Sequence, residues 1–467
     1  MYQKVEDVMA KLPPESEREL LPVIRAEFLK AGKTIVVLDD DPTGTQTCYD
    51  VNVLTSWQVP IVVEELKKNP SILFILTNSR SMPEHTAIAL AEEVGQNLTQ
   101  AVKESGRQIA VVSRSDSTLR GHFPAEVDAV ARALNIEAAV RVLVPAFIEG
   151  GRFTIDDVHY IRENADLVPV ADTPFARDTV FGYKHSNMKE WVAEKTGGRM
   201  KASRVVSISL QDIRIKGYAA VADKLANCLP GEVCIVNACS YKDLEVLVMA
   251  LLLAEKAGAT FLYRTSATFV SIRAGISPGK ILKPPIKEII SKNGSLVVVG
   301  SYVPKTTRQL SDLVGKGTHH SIEIDVSGLL RSKNTRSYAE MIIAQTDKLL
   351  SEQKDVVIHT SRTLVTGSNA ESSLKINNTV SSFLVMIVKG LSVRPSFMVA
   401  KGGITSSDLA TKGLTAQKAL ILGQIIAGVP VWKLDIKSKF PELIYVVFPG
   451  NVGDDAAFTE VCSKLKA

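Results

Sequence analysis

Three adjacent carboxylates follow an apolar segment near the start of the chain: Asp39, Asp40 and Asp41. A Pro-Thr-Gly turn at residues 42–44 comes directly after them. An apolar, β-branched run that ends in polar residues is typical of a buried parallel strand, and ligands bind at the carboxyl ends of such strands. Adjacent carboxylates repel one another unless a metal ion, a cationic side chain or a substrate hydroxyl balances them. The segment therefore predicts a ligand-binding loop, although a solvated acidic turn has the same composition.

Charged side chains also follow the next two apolar segments, residues 71–76 and 108–112. They are Arg80, Arg114, Asp116 and Arg120. A guanidinium group matches a carboxylate or phosphate, and an aspartate can hold a hydroxyl or act as a general base. Any one of these arginines could equally form a surface ion pair. The same chemistry at successive strand ends favours a small polyhydroxy acid as the ligand.

Glycine-rich turns follow predicted strands in the second half of the chain. They begin at Gly300, Gly402 and Gly450. Backbone N–H groups at a turn that opens a helix can bind an anion, although a glycine after a strand is usually only a turn. No G-x-x-x-x-G-K-[ST] segment occurs, which excludes a P-loop, and no clear G-x-G-x-x-G follows a strand. Three such turns together are compatible with a nucleotide held by separate loops.

Short apolar segments alternate with helical patterns along the 467 residues, which are too many for one typical core. That alternation is typical of a parallel sheet flanked by helices. Proline and glycine concentrate from Ile276 to Pro285, and the pattern restarts afterwards. We therefore predict an α/β protein with two domains, residues 1–275 and 286–467, each a largely parallel sheet flanked by helices.

The composition is ordinary for a globular protein, with 45% hydrophobic and 22% charged residues. A net charge of +5 suits an anionic substrate but is too small to indicate nucleic-acid binding. The five cysteines are odd in number and form no C-x-x-C pair, so we expect reduced thiols and a cytoplasmic protein. The chain start does not resemble a signal peptide, and the most apolar stretch, residues 246–254, is shorter than a membrane span. We expect that stretch to be a core helix, and the oligomeric state stays open between a monomer and a homo-oligomer.

Residues 150–200 are polar and irregular, and we expect a long loop that serves as a lid. His159 and His185 lie within it. Each could be catalytic, although a single histidine is more often structural.

Five segments, in this order, resemble the motifs of the four-carbon acid sugar kinases. They are residues 40–44, 114–121, 300–309, 402–406 and 450–453. The resemblance implies an N-terminal acid-sugar-binding domain and a C-terminal nucleotide-binding domain. It also implies ATP-dependent phosphorylation of threonate, erythronate or an oxo-tetronate, with ATP and Mg²⁺ as cofactors. The chain departs from the family at Arg114, where many members carry Lys, and at Val303, where many carry Ser.

The resemblance also implies a set of site residues. The candidates for the general base are Asp40, Asp41 and Asp116. The substrate-binding residues are Asp41, Arg80, Arg114, Ser115, Asp116 and Ser117. The ATP contacts are Ser301, Gly402, Gly403, Ile404, Thr405 and Gly450. Metal ligands stay undetermined, and we expect the two domains to close over the reactants, because phosphoryl transfer depends on alignment.

Two other functions are compatible with parts of the sequence. Asp39 and Asp41 match the D-x-D-x-[TV] loop of haloacid-dehalogenase phosphatases, in which Asp39 would form an aspartyl-phosphate. That hypothesis leaves residues 114–121 and two of the glycine turns without a role. A non-catalytic ligand-binding sensor is the third hypothesis, and ATP turnover would distinguish it from a kinase.

Overall fold

The computed structural model describes residues 2–277, 279–332, 334–362, 365, 370–450 and 452–466. The strands in this part of the chain are β1 (Gln3–Lys4), β2 (Lys33–Asp39), β3 (Val51–Leu54), β4 (Ile72–Leu76), β5 (Gln108–Arg114), β6 (Val140–Val144), β7 (Arg152–Ile155), β8 (Val158–Glu163), β9 (Asp166–Pro169), β10 (Val206–Ile208), β11 (Val233–Val236), β12 (Phe261–Thr265), β13 (Leu296–Val299), β14 (His320–Ile324), β15 (Val356–Thr360), β16 (Phe397–Lys401), β17 (Lys418–Ile426), β18 (Val429–Leu434) and β19 (Ile444–Phe448).

The α-helices are α1 (Val5–Met9), α2 (Leu21–Ala31), α3 (Val59–Lys67), α4 (Glu84–Ser105), α5 (Ala125–Ala133), α6 (Met188–Lys195), α7 (Gly217–Ala226), α8 (Tyr241–Lys256), α9 (Ala267–Arg273), α10 (Pro304–Gly315), α11 (Val326–Arg331), α12 (Thr335–Ser351), α13 (Ala370–Gly390), α14 (Gly403–Asp408) and α15 (Ala457–Lys466). Short helical turns of other types include Pro42–Thr47 and Ser79–Ser81. Among the helices of the described residues, none is long and apolar enough to cross a membrane.

The chain folds into two compact units. The first comprises Met1–Cys48 and Ser56–Pro278, and the second comprises Tyr49–Thr55 and Gly279–Ala467. The chain passes from one unit to the other inside the proline- and glycine-rich segment, of which Pro278 lies outside the described residues. Tyr49–Thr55 is a departure from the predicted 1–275 domain, because β3 pairs with β17 of the second unit.

The first unit is built on an all-parallel sheet with the strand order β10-β11-β6-β12-β5-β2-β4. Consecutive residues of β4, β6 and β12 are all buried, so both faces of the sheet are covered, as parallel strands require. From β2 the chain adds β4 on one side and later β5 on the other. The crevice between β2 and β5 is therefore the topological switch point, where α/β sheets bind ligands.

The apolar stretch within residues 246–254 lies in α8, as predicted. This helix is buried over most of its circumference, and a capping box between Ser240 and Asp243 fixes its start. The five cysteines are free thiols.

Residues 150–200 are not a long loop, so that prediction was wrong. Strands β7, β8 and β9 form an antiparallel meander, to which β1 adds a fourth strand. Alternating apolar residues such as Phe153, Ile155 and Leu167 pack into a small core of their own. Polar residues between them concealed the period of two that identifies a half-buried strand.

The second unit has the strand order β3-β17-β18-β19-β16-β13-β15-β14. Strands β14, β15, β13, β16 and β19 are parallel, whereas β18, β17 and β3 continue the sheet in antiparallel pairs. Strands β3, β12, β17 and β18 were not predicted from the sequence. The chain passes from β13 to β15 on one side and then to β16 on the other, so β13 and β16 flank a second switch point.

Candidate functional site

Parallel pairing brings the predicted acidic loop and Arg114 together at the switch point of the first unit. Asp39 is the last residue of β2, and it pairs in register with Arg114, the last residue of β5. The sequence predicted Arg114 in the loop after residues 108–112, but it is the last residue of the strand. Its Nη1 lies 3.1 Å from Asp39 Oδ1 and 3.6 Å from Asp40 Oδ1. Both carboxylates are buried, and so is the arginine.

Asp40 forms a two-pronged ion pair with Arg80, which lies in the short helical turn after β4. Arg80 Nη2 donates to Asp40 Oδ1 at 2.6 Å, and Nε donates to Oδ2 at 3.2 Å. Ser115 Oγ also donates to Oδ2, at 3.1 Å. Burial favours the protonated acid, but Arg80 and Arg114 outweigh it and hold the pKa of Asp40 below its usual range. Asp40 is therefore an ionised anchor for Arg80.

Gly44 is required for the close packing of the acidic loop. A Cβ atom there would lie 2.2 Å from both carboxylate oxygens of Asp39. Asp39 Oδ2 has no hydrogen-bond partner among the described residues. Burial raises the pKa of Asp39 to about 7, although Arg114 opposes this shift. The loop thus folds over Asp39 and excludes it from solvent.

The raised pKa predicts a pH-dependent effect of Asp39→Asn on stability. In the folded protein Asp39 keeps its proton up to about pH 7, whereas its ordinary pKa is 3.8. Its contribution to stability is therefore present below the ordinary pKa and is lost as the pH rises through 7. The free energy of unfolding of the variant, relative to wild type, should increase between about pH 4 and about pH 7 by on the order of a few kcal/mol. Urea unfolding across that range measures it, and a difference that does not change with pH would contradict the assignment.

A partly exposed set of charges faces outward above these buried groups. The side chains and their exposed fractions are Arg80 at 17%, Asp41 at 19%, Asp116 at 13% and Arg120 at 26%. We call these four residues the acid-site cluster. Asp41 accepts hydrogen bonds from the backbone and hydroxyl of Thr43, and its Oδ2 lies 3.8 Å from Arg80 Nη1.

Asp116 is bound within the loop that follows β5. Arg120 Nε donates to its Oδ2 at 2.6 Å, and the Thr118 hydroxyl donates to the same oxygen. Burial raises the pKa of Asp116, but Arg120 and Arg80 outweigh this and hold it well below its usual range. Asp116 is thus a weak base that orients Arg120.

The antiparallel meander and the segment after it hold this loop in place. Tyr183 Oη donates to the carbonyl of Thr118 at 2.7 Å. His159 Nε2 donates to the carbonyl of Ser117 at 2.7 Å, while its Nδ1 accepts from a threonine hydroxyl. Burial lowers the pKa of His159 to about 4, so this histidine is neutral and structural. Asp178 Oδ2 lies 3.6 Å from Arg120 Nη1. His185 is exposed and takes no part in these contacts.

Sequence reasoning missed two charged residues beneath the acid-site cluster, Arg264 and Glu126. Arg264 Nη1 donates to Ser113 Oγ at 3.0 Å and lies 3.6 Å from Glu126 Oε2. Glu126 Oε1 accepts from Ser79 Oγ at 2.6 Å, next to Arg80. Arg264 is the fourth residue of β12, after the apolar residues 261–263, and that strand signal could have identified it.

The glycine turns of the second unit also meet at one sheet edge. Lys401, the last residue of β16, pairs in register with Val299 of β13 and with Phe448 of β19. The turns that start at Gly300, Gly402 and Gly450 therefore leave the sheet side by side. We call the residues of these turns the glycine-loop cluster: Gly300, Ser301, Gly402, Gly403, Ile404, Thr405 and Gly450.

Side-chain and backbone contacts hold the glycine-loop cluster together. Ser301 Oγ lies 3.2 Å from Thr306 Oγ1, which donates to the carbonyl of Gly450 at 3.2 Å. A Cβ atom at Gly300 would lie 2.2 Å from Thr405 Oγ1. Gly402 has a φ of +114°, a conformation that side chains disfavour. These contacts pack the three turns closely together, and α10 begins next to them at Pro304.

Arg362 is a further cation at this edge that the sequence analysis did not identify. Its Nη1 donates to the carbonyl of Ser301 at 2.8 Å, and its other nitrogens donate to Thr360. Asn451, part of the predicted motif at 450–453, lies outside the described residues. In the described part of the chain, no group of three or more His, Cys, Asp or Glu side chains is placed to hold a metal ion.

Two family models match this chain. Residues 35–273 match a sugar-binding N-terminal domain, and residues 296–458 match a nucleotide-binding C-terminal domain. The first match covers the acid-site cluster, and the second covers the glycine-loop cluster.

Known proteins resemble the chain over nearly its full length. D-threonate kinase from Salmonella typhimurium is 24% identical over 442 residues, which are 91% of this chain and 97% of that protein. A crystal structure from Salmonella typhimurium LT2 has the same fold, with a TM-score of 0.66 and 18% identity over 91% of this chain and 98% of that one. A Haemophilus influenzae structure described as DUF1537 gives a TM-score of 0.61 and 17% identity over 92% of this chain and 100% of that one. The chain belongs to the four-carbon acid sugar kinase family.

Proposed function

We propose that this protein transfers the γ-phosphoryl group of ATP to a hydroxyl of a four-carbon sugar acid. The observation that carries the proposal is the acid-site cluster. Two guanidinium groups and two carboxylates lie together, partly exposed, at the carboxyl edge of the sugar-binding-domain sheet. Such a set matches a ligand with one carboxylate and several hydroxyls, because guanidinium binds the former and carboxylates accept from the latter.

In this proposal Arg80 and Arg120 bind the substrate carboxylate. Asp41 accepts a hydrogen bond from the acceptor hydroxyl and takes its proton as the phosphoryl group arrives, because it is the exposed carboxylate of the acidic loop. Asp116 orients Arg120 and a second hydroxyl. Asp40 and Arg114 act beneath them as positioning residues, since both are buried and already paired. Ser115 and Ser117 hold the loop after β5.

The glycine-loop cluster is the proposed ATP site. Backbone N–H groups of the loops would face the phosphates, and Arg362 adds positive charge beside Ser301. Mg²⁺, when bound with ATP, would neutralise phosphate charge. It keeps several waters and usually takes few protein ligands, which suits a site whose described residues form no carboxylate cage.

ADP release with Mg-ATP tests the proposal, against a panel of D-threonate, L-threonate, erythronate and their 2-oxo derivatives. D-threonate comes first because the relative that is 24% identical carries that name. We expect turnover with one acid and a low background without acid. Tight ATP binding without turnover on any acid would reject the proposed acceptor class. Absence of both ATP binding and turnover would reject the kinase.

The phosphatase hypothesis requires Asp39 to attack a phosphate. Asp39 is fully buried, its Oδ1 contacts Arg114, and Gly44 packs against both carboxylate oxygens. This geometry gives a phosphate no access to the carboxylate. Phosphate trapped covalently on Asp39 would reverse that conclusion.

A further inference from the structure

Lys401 is a fully buried lysine at the start of the second glycine turn. None of its side chain is exposed. Its Nζ donates to the carbonyl of Pro449 at 2.7 Å, in the turn that leads to Gly450. A buried ammonium group normally has a carboxylate partner, because burial of an unpaired charge is very costly. No described carboxylate forms a salt bridge with Lys401.

Two aromatic rings also lie near the Lys401 amine. Nζ lies 3.7 Å from the ring centre of Phe448 and 5.9 Å from that of Phe458. Another cation, Lys305 of α10, disfavours a positive charge on Lys401. A ring face attracts an ammonium group, but this attraction is weaker than the cost of burying a charge that has no carboxylate partner. An uncharged amine therefore fits this environment, with one N–H toward the carbonyl and another toward the ring face.

The backbone of Lys401 and of Gly402 bonds to the turns on both sides. The Lys401 carbonyl accepts from the backbone N–H of Ser301 at 3.4 Å, and the N–H of Gly402 donates to the carbonyl of Phe448 at 2.9 Å. With the side-chain bond to Pro449, this position connects all three turns of the glycine-loop cluster.

We propose that Lys401 is a positioning residue that ties the glycine turns together as an uncharged amine and takes up a proton from solvent when nucleotide phosphates bind. The inference rests on the proposed nucleotide site. Negative charge at the turns stabilises the ammonium form, so binding and protonation favour each other. No bond other than the new N–H forms at Lys401.

The pKa of Lys401 in the protein without nucleotide agrees with this geometry. Burial, with a smaller effect of Lys305, lowers the pKa of Lys401 to about 6. If bound phosphates raise that pKa, nucleotide affinity should fall as the pH rises from about 7 to about 9. The proton taken up on binding should disappear when the amine is removed.

Lys401→Met tests the proposal, because methionine keeps an unbranched apolar side chain and lacks the amine. Lys354→Met is the matched control, since Lys354 lies in the same unit, is exposed and pairs with the exposed Glu352. Calorimetric titration with Mg-ATP in two buffers of different ionisation enthalpy gives both the affinity and the protons taken up. We expect Lys401→Met to weaken ATP binding by about 10-fold and to lose the proton uptake and the pH dependence, whereas Lys354→Met changes none of them.

A second measurement does not depend on nucleotide binding. In protein labelled with ¹³C at lysine Cε, the signal that Lys401→Met removes should titrate near neutral pH, well below the other lysines. A Lys401 signal that stays in the charged form up to about pH 9, or a Lys401→Met variant with wild-type ATP binding and pH dependence, would overturn the proposal. If wild type binds no nucleotide, the proposed function and the coupling both fail, and the labelled signal alone decides whether the amine is uncharged.

Discussion

Arg80→Met should lower kcat/KM for the sugar acid by about 10²- to 10³-fold. Arg80 is partly exposed, and we propose that its guanidinium binds the substrate carboxylate while two of its nitrogens hold Asp40. Loss of one partner of a buried, hydrogen-bonded charge pair typically costs about 2–5 kcal/mol, an interval that includes the expected decrease. KM for ATP should change little. Steady-state kinetics with each substrate varied in turn measures both effects.

The same substitution should reduce the free energy of unfolding by about 3–5 kcal/mol, because it leaves Asp40 buried without its bidentate partner. Arg80→Met combined with Asp40→Asn should recover much of that stability, since the uncompensated charge is gone, but should not recover activity. Arg132→Met is a matched control, because Arg132 forms a surface pair with Glu92, and its loss should cost about 0–1 kcal/mol. Wild-type kcat/KM in Arg80→Met would refute the role of this arginine in substrate binding.

Gly300→Ala should reduce kcat/KM for ATP by about 10²-fold. The added Cβ would lie 2.2 Å from Thr405 Oγ1 and 3.1 Å from Leu384 Cδ1, so the turn at Gly402 must move. Overpacking of this kind costs about 1–3 kcal/mol in stability, and a displacement near 1 Å at a reacting centre can cost about 10²-fold in rate. Binding of Mg-ATP by calorimetry and kinetics with ATP varied measure the effect.

Gly315→Ala gives the matched control for that substitution. Gly315 ends α10 in the same unit, and a Cβ there would meet no atom within 4 Å. Alanine should stabilise the helix by about 0.5–1 kcal/mol and leave ATP kinetics unchanged. Equal effects of the two substitutions on ATP binding would show that the close approach of Gly300 and Thr405 is not required for the nucleotide site.

The pattern of strand ends was readable from the sequence because it is local. An apolar run followed by charged residues or glycine marks a strand and the loop after it, and this signal identified Asp40, Arg80, Ser301 and Gly402. Parallel pairing then predicts that such loops share one sheet edge. The family motifs are local in the same sense, so the two-domain α/β class and the family followed from them.

Burial and partner choice needed the tertiary structure, because they depend on residues far apart in the chain. The acidic run could not show that Asp39 is covered by Gly44, that Asp40 anchors Arg80, or that Asp41 remains partly exposed. The sequence predicted a lid between residues 150 and 200. In the structure, strands in this segment form a meander, and the segment holds the loop after β5 in place.

The sequence by itself determined which chemical groups this protein carries at its strand ends, because strand length, turn residues and motif order are encoded over a few neighbouring positions. The tertiary structure decided which of those groups face solvent and which act beneath them. Arg264, Glu126 and Lys401 show the reason: each is an ordinary charged residue in the sequence, and only strand order and packing place it, buried, against a loop of the candidate site.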